Sequence, residues 1–172
     1  MIYVRHFDSP LGRITLSTDG ESLIGFAFEE ERHPVDRSGA SEEPVAILLD
    51  AERQVQEYLG GWRKSFDLPL RPAGTDFQRR VWEELLRIPF GQTISYMELA
   101  QRIGNPKAVR AVGLANGRNP ISLIIPCHRV IGANGDLTGY GGGLPRKEFL
   151  LRHEGIPVKS DRQASLWPAA TD

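Results

Sequence analysis

Ile121-Ser122-Leu123-Ile124-Ile125-Pro126-Cys127-His128-Arg129-Val130 runs from an almost unbroken apolar stretch into a thiol, an imidazole and a guanidinium. The apolar part predicts a short buried strand over 121–125 that delivers Cys127 to its end. Cys127 is the only cysteine in 172 residues. It has no partner for an internal disulfide and no neighbouring sulfur with which to hold a structural zinc, which leaves packing or reactivity. A free cysteine by itself is most often a small buried hydrophobe. His128 and Arg129 shift that balance, because an electropositive setting lowers a thiol pKa and makes thiolate available.

Upstream, Thr75-Asp76-Phe77-Gln78 has the form of a capping box, and Phe77, Val81, Leu85 and Leu86 mark one face of a helix ending before Pro89. Ser95-Tyr96-Met97-Glu98 repeats the signature and opens a short helix that stops near Gly104. Asn105-Pro106 predicts the next helix start, with a capping side chain and proline at the first helical position, and Gly117 stands just past its end. Two helices joined by a tight turn make a helix-turn-helix. The second carries Lys107 and Arg110 among the small residues Ala108, Ala111, Gly113 and Ala115, a surface suited to close approach to nucleic acid. The motif is a weak signal alone, since many helical hairpins bind nothing. Downstream, Asn134-Gly135 predicts a hairpin turn, and Tyr140-Gly141-Gly142-Gly143 a loop whose bare backbone can approach a planar ligand. A last helix over 146–154 is closed by Gly155.

The N-terminal half reads differently. Ile2 and Val4, Ile14 and Leu16, and the run from Leu23 to Phe28, separated by turn signals at Asp8 to Gly12 and at Asp19-Gly20, predict a three-stranded antiparallel meander. Residues 29–43 are charged and irregular, a surface connection. Leu48, Ala51, Val55, Tyr58 and Leu59 recur at helical spacing until Gly60-Gly61 stops them. Residues 62–72 read as a crossing between two domains, 1–74 and 75–155, followed by a loosely held tail over 156–172.

Hydrophobic residues at 40% and charged residues at 25% describe an ordinary globular chain. The first residues lack a signal-peptide pattern and no run approaches membrane-spanning length, so a cytoplasmic location with a reduced thiol and no membrane partner is expected. The net charge of -1 hides an asymmetry: residues 1–74 carry 8 Lys/Arg against 13 Asp/Glu, residues 75–172 carry 13 against 9. Leu99 to Val130 holds Arg102, Lys107, Arg110, Arg118 and Arg129 and no acidic residue. A basic segment leading into a candidate nucleophile points to a polyanionic substrate.

With Pro126-Cys127-His128-Arg129-Val130 following a helix-turn-helix, the chain resembles the O6-alkylguanine-DNA alkyltransferases, also called methylated-DNA-protein-cysteine methyltransferases. The resemblance rests also on Ser95-Tyr96, Glu98-Leu99-Ala100, Arg110-Ala111-Val112-Gly113, Asn119-Pro120, Tyr140-x-Gly142-Gly143 and Leu150-Leu151-x-x-Glu154, in the family's order. It implies an α+β (mixed α/β) fold: an N-terminal ribonuclease-H-like antiparallel sheet with a helix, serving as support, then a winged helix-turn-helix-like domain that binds DNA and carries the chemistry.

It further implies direct-reversal repair, in which a thiolate attacks the saturated carbon of an alkyl group on guanine O6. Thiolate is the softest strong nucleophile a side chain offers, and the thioether it leaves cannot be reset, so each molecule acts once. Carried over by motif, Cys127 is the acceptor, His128 the base that takes its proton through a water, Glu154 the carboxylate that orients His128, Asn119 a brace under the turn, and Tyr96 a donor to the leaving base. Val130, Tyr140, Gly141 and Gly142 would hold the base edges. Arg110 would enter the stack vacated by a flipped nucleotide, with Lys107, Ala111, Gly113, Ala115, Arg118 and Arg129 toward the DNA. The expected partner is double-stranded DNA containing O6-alkylguanine, with O4-alkylthymine as a further candidate, bound by a monomer without cofactor or metal. Some relatives bind zinc through N-terminal cysteines, which this chain lacks, and some carry serine where Gly141 stands. Three rivals remain at this level: a non-catalytic alkylated-DNA-binding protein, a winged-helix regulator, and a cysteine hydrolase that would need an oxyanion hole and would turn over.

Overall fold

The computed structural model describes residues 1–31 and 37–158. Three antiparallel strands come first, β1 (Tyr3–Ser9), β2 (Gly12–Thr18) and β3 (Leu23–Phe28), in that order across the sheet. Their period-two alternation buries Ile14 and Leu16 of β2 with Phe26 and Phe28 of β3. Helix α1 (Ala46–Leu59) packs on the sheet through Leu48, Ala51, Val55 and Tyr58, all fully buried. Each large apolar side chain of this kind contributes about 1.5–3 kcal/mol.

Helix α2 (Asp76–Leu85) starts at the predicted capping box: the Gln78 N–H donates to Thr75 Oγ1 and the Thr75 N–H to Gln78 Oε1. Strand β4 (Ile94–Ser95) leads into α3 (Tyr96–Arg102), whose first turn is capped by Ser95 Oγ and whose end is marked by Gly104 at φ +81°. Helix α4 (Val109–Gly117) packs against α2 and α3 and completes the helix-turn-helix. Asn105 does not cap it. Its backbone, at φ -139° and ψ 75°, leads into a 3-10 turn over Pro106–Ala108, and the α-helix begins only at Val109.

Two elements differ from the sequence expectation. Residues 121–125 are all buried, but they form a compact turn rather than a strand: Leu123 takes φ +68° and the Ile125 N–H folds back onto the Ile121 carbonyl at 3.0 Å. A five-residue apolar run signals burial without separating strand from turn. Asn134-Gly135 closes a local loop, with the Gly132 N–H on the Asp136 carbonyl, and no hairpin follows. The next eight residues, Asp136 to Gly143, include four glycines and offer no returning strand. Strand β5 (Val130–Ile131) pairs instead with β4, in parallel.

The edge of β3 grips two connections. The Leu23 N–H donates to the Pro69 carbonyl and the Arg71 N–H to the Leu23 carbonyl, while the Phe26 N–H donates to the Pro120 carbonyl at 2.9 Å. The last helix, α5 (Leu144–His153), is tied to the sheet by Arg146, which donates to the carbonyls of Leu11 and Glu29 and lies over the Phe28 ring. One hydrophobic cluster extends from Leu11 to Leu150 through all these elements. Residues 32–36 of the charged connection and 159–172 of the tail lie outside the described residues. Among those described, no helix is long and apolar enough to cross a membrane.

Candidate active site

Cys127 opens a 3-10 turn, Cys127–Arg129, directly after Pro126. Two asparagines brace that turn. Asn119 Nδ2 donates to the Ile125 carbonyl at 2.8 Å while its Oδ1 accepts the Ile121 N–H, and Asn116 Nδ2 donates to the Cys127 carbonyl at 3.3 Å. The cysteine is only 4% exposed. Burial pushes its thiol up from 9.0 to about 11, against the pull of a hydrogen bond from Asn119 and the charge of Lys147. The electropositive setting read from His128 and Arg129 therefore does not deliver a resting thiolate. Desolvation outweighs it, so the thiol is protonated at neutral pH and needs a base.

That base is in place. His128 is fully buried, and its Nε2–H donates to Glu154 Oε2 at 2.8 Å; a carboxylate can only accept, which fixes the tautomer and leaves a lone pair on Nδ1. Nδ1 has no hydrogen-bond partner among the described residues. Burial lowers the His128 pKa despite Glu154, keeping the ring neutral and able to accept a proton. Burial also works against the charge on Glu154, but the donors around it win and hold the carboxyl well below the usual carboxylate range. Those donors are His128, the Nε and Nη2 of Arg129 at 2.8 and 2.9 Å, the Gly91 N–H at 3.0 Å and the Tyr58 hydroxyl at 2.6 Å.

Arg129 is thereby corrected. Its guanidinium donates also through Nη1 to the Ile88 carbonyl and is buried in this cluster, so it is not part of a DNA-facing surface. Among the predicted pocket residues, Val130 is buried with its N–H on the Cys127 carbonyl and its own carbonyl taken by Lys147 Nζ at 2.7 Å. Gly142 is also buried away from the cleft: a Cβ there would stand 2.6 Å from the Phe28 ring, so its glycine serves packing. Tyr140 and Gly141 do line a cleft of about 280 Å³, together with Tyr96, Gly113, Leu114, Gly117, Arg118 and Gly139. Cys127 does not line it, yet both tyrosines that do have their pKa raised by burial and by the negative charge that Cys127 bears when ionised. The Tyr96 hydroxyl donates to the Thr138 carbonyl at 3.0 Å and accepts from Thr138 Oγ1. Serving a base would require it to exchange that partner.

On α4, Arg110, Ala111 and Leu114 are exposed, with Lys107 exposed just before the helix and Arg118 just after it, and Gly113 is half-buried. Ala115 is not on this face. Helical spacing groups it with Val112 and Asn116 on the buried side, where its carbonyl accepts from Trp82 Nε1 at 2.8 Å.

Family models match both halves of the chain. Residues 2–72 match the "6-O-methylguanine DNA methyltransferase, ribonuclease-like domain", and residues 76–156 match the DNA binding domain of the same enzyme. The chain belongs to the 6-O-methylguanine-DNA methyltransferase family. A methylated-DNA–protein-cysteine methyltransferase of Methanosarcina acetivorans is 51% identical over 154 residues, covering 90% of this chain and 99% of that relative. One from Mycobacterium bovis is 50% identical over 161 residues, covering 94% and 97%. The crystal structure of Mycobacterium tuberculosis O6-methylguanine methyltransferase superposes with a TM-score of 0.84 at 47% identity, covering 95% and 99%. A Mycobacterium tuberculosis OGT in complex with DNA superposes with a TM-score of 0.83 at 49% identity, covering 88% and 92%.

For this methyltransferase-family chain, four residues of the site escaped the sequence reading. Lys147 is fully buried beside the thiol, donating to the carbonyls of Val130 and Thr138, and burial lowers its pKa from 10.5 to about 8. Its spacing of three and four from Leu150 and Leu151 puts it on the buried face of α5, whereas the neighbouring Arg146 is half-buried. Asn116 was legible as a polar residue on the apolar face of α4, four positions after Val112. Leu114, 68% exposed, was legible as the reverse case. Tyr58 read only as core.

Proposed function

We propose that this family member carries the alkyl group of O6-alkylguanine in double-stranded DNA onto Sγ of Cys127, acts once per molecule, and works as a monomer in the cytoplasm. The observation that carries this reading is the buried chain of hydrogen bonds that ends in a neutral His128 with a free Nδ1, one residue from the only thiol. In the reaction, the thiol proton moves toward His128 Nδ1, through a water as in the family, and Glu154, already anionic, stabilises the imidazolium that forms. Sγ forms a bond to the saturated carbon as the carbon–O6 bond breaks. The electron pair of that bond passes to the guanine, which develops negative charge and takes a hydrogen bond from the Tyr96 hydroxyl released from Thr138.

A duplex base cannot reach a thiol that is 4% exposed, so the nucleotide is extruded, at a cost of a few kcal/mol. Exposed Arg110 and Leu114 on α4 fit the role of filling the space it leaves, and Lys107 and Arg118 suit phosphate contacts. Val130 and Gly142 support the pocket from behind rather than line it. O4-alkylthymine presents the same alkoxy carbon and is the second substrate in this reading.

Titrating a duplex that contains one O6-methylguanine with protein tests it. The amount repaired should plateau at one equivalent per protein molecule, and Cys127→Ala should repair none. Repair beyond one equivalent, or repair by the Cys127→Ala variant, would overturn the reading.

A further inference from the structure

We propose that Tyr58, delivered by α1 from the N-terminal sheet-and-helix unit, is a positioning residue for alkyl transfer: its hydroxyl holds Glu154, and Glu154 in turn holds His128. The inference rests on the transfer reaction proposed above. The contact joins residues 96 positions apart, lies in the buried interior and measures 2.6 Å, the shortest of the hydrogen bonds on Glu154. It ends on Oε2, the same oxygen that accepts from His128.

The ring that bears the hydroxyl cannot drift. It stands 4.9 Å from the His153 ring, 5.5 Å from Phe66 and 6.1 Å from Phe90, and the carbonyl of Tyr58 accepts from His153 Nε2 at 2.6 Å. Burial and the neighbouring carboxylate keep the phenol protonated, so it acts as a donor throughout the working pH range. Arg129, with two hydrogen bonds to Glu154, already neutralises the carboxylate, so Tyr58 is not needed to balance charge. What it adds is direction on the His128 side, and a share of the Oε2 electron density that would otherwise draw the imidazole proton.

Removing the hydroxyl while keeping the ring therefore has a signed consequence. Glu154 stays anionic beside Arg129, but Oε2, with one donor fewer, attracts the proton of His128 more strongly. The charged or titratable groups around His128 are Glu154, Arg129, Lys147 and the adjoining Cys127 thiol, with Tyr58 acting through Glu154 and His153 against Tyr58. None of the others changes in Tyr58→Phe. His128 should then become harder to keep neutral, and the acid limb of the transfer rate should move to higher pH.

The experiment is the single-turnover rate of Tyr58→Phe and wild type on an O6-methylguanine duplex across pH 5 to 9, with thermal unfolding run in parallel. The expected result is a plateau rate lower by about tenfold, the size of losing part of one hydrogen bond to a charged group, and an acid limb shifted upward. A limb and plateau equal to wild type, whether or not the melting temperature falls, would reduce Tyr58 to a packing role and overturn the inference. Should Tyr58→Phe not fold, the wild-type protein still decides: the Tyr58 hydroxyl proton should give a slowly exchanging NMR resonance that moves as His128 titrates, and an invariant or absent resonance contradicts it. Failure of the wild type itself to transfer a methyl group would fault the proposed reaction, not Tyr58.

Discussion

Arg110 and Arg129 belong to the same acid-free stretch of sequence, and the fold puts them to opposite uses. Arg110 is exposed on α4. Arg129 is buried, with one carboxylate and one backbone carbonyl taking three of its donors. The difference is set by chain geometry rather than by local sequence. Arg110 lies on a helix whose Val112, Ala115 and Asn116 face inward and whose opposite side is left to solvent. Arg129 ends a turn anchored by Asn119 and Asn116 and points at Glu154, which α5 brings from 25 residues away. The same guanidinium is therefore open to solvent in one place and a fixed part of a buried hydrogen-bond cluster in the other.

Substitution sharpens that contrast. Arg129→Ala leaves the Glu154 charge buried with its principal counter-ion gone, and should destabilise the protein by about 3–5 kcal/mol in chemical denaturation. A loss under 1 kcal/mol would mean that the buried cluster is not held as described. Arg110→Ala should leave denaturation within about 0.5 kcal/mol of wild type, yet slow repair of the duplex while leaving reaction with free O6-benzylguanine unchanged. Equal slowing on both substrates would remove Arg110 from nucleotide extrusion. The mildest effect is on pH. His128 is lowered from 6.5 and Glu154 from 4.5 in the folded state, so the unfolded chain binds the extra protons on acidification. Stability should therefore fall below about pH 6.5 as His128 begins to resist protonation, and fall further below about pH 4.5 as the Glu154 contribution is lost. A melting temperature that rises on acidification from pH 7 to 5 would contradict that sign.

Much of the architecture was legible because it depends on local rules. Period-two alternation marked the meander, spacings of three and four marked α1, and the Thr75–Gln78 capping box opened α2 where it was expected. The site was legible as a set of residue types around Cys127 but not as an arrangement. Residues 121–125 showed their burial and concealed their turn, because the left-handed Leu123 has no signature in a β-propensity reading. The pKa of Cys127 was misjudged in direction, since adjacent cations in sequence say nothing of desolvation in space. The role of Tyr58 has no local signature because its partner Glu154 lies in the other half of the chain, while Lys147 stands at helical spacing from Leu150 and Leu151 but is a residue type that is almost never fully buried without a partner, here the carbonyls of Val130 and Thr138.

The N-terminal half consequently does more than fill space. It binds the Pro120–Ser122 segment along the edge of β3, and it sends a tyrosine into the hydrogen-bond cluster beneath the thiol.

Cys127 rests as a buried, protonated thiol and, in the proposed reaction, accepts an alkyl group from an extruded guanine once His128 takes its proton. Peptide mass mapping of the protein after one equivalent of O6-methylguanine duplex, beside a control exposed to iodoacetamide at pH 7 without DNA, tests both halves of that statement. The expected result is a single methyl group, located on Cys127, and little carbamidomethylation of Cys127 in the control. A methyl group on any other residue, or rapid and complete labelling of Cys127 by iodoacetamide in the absence of DNA, would contradict it.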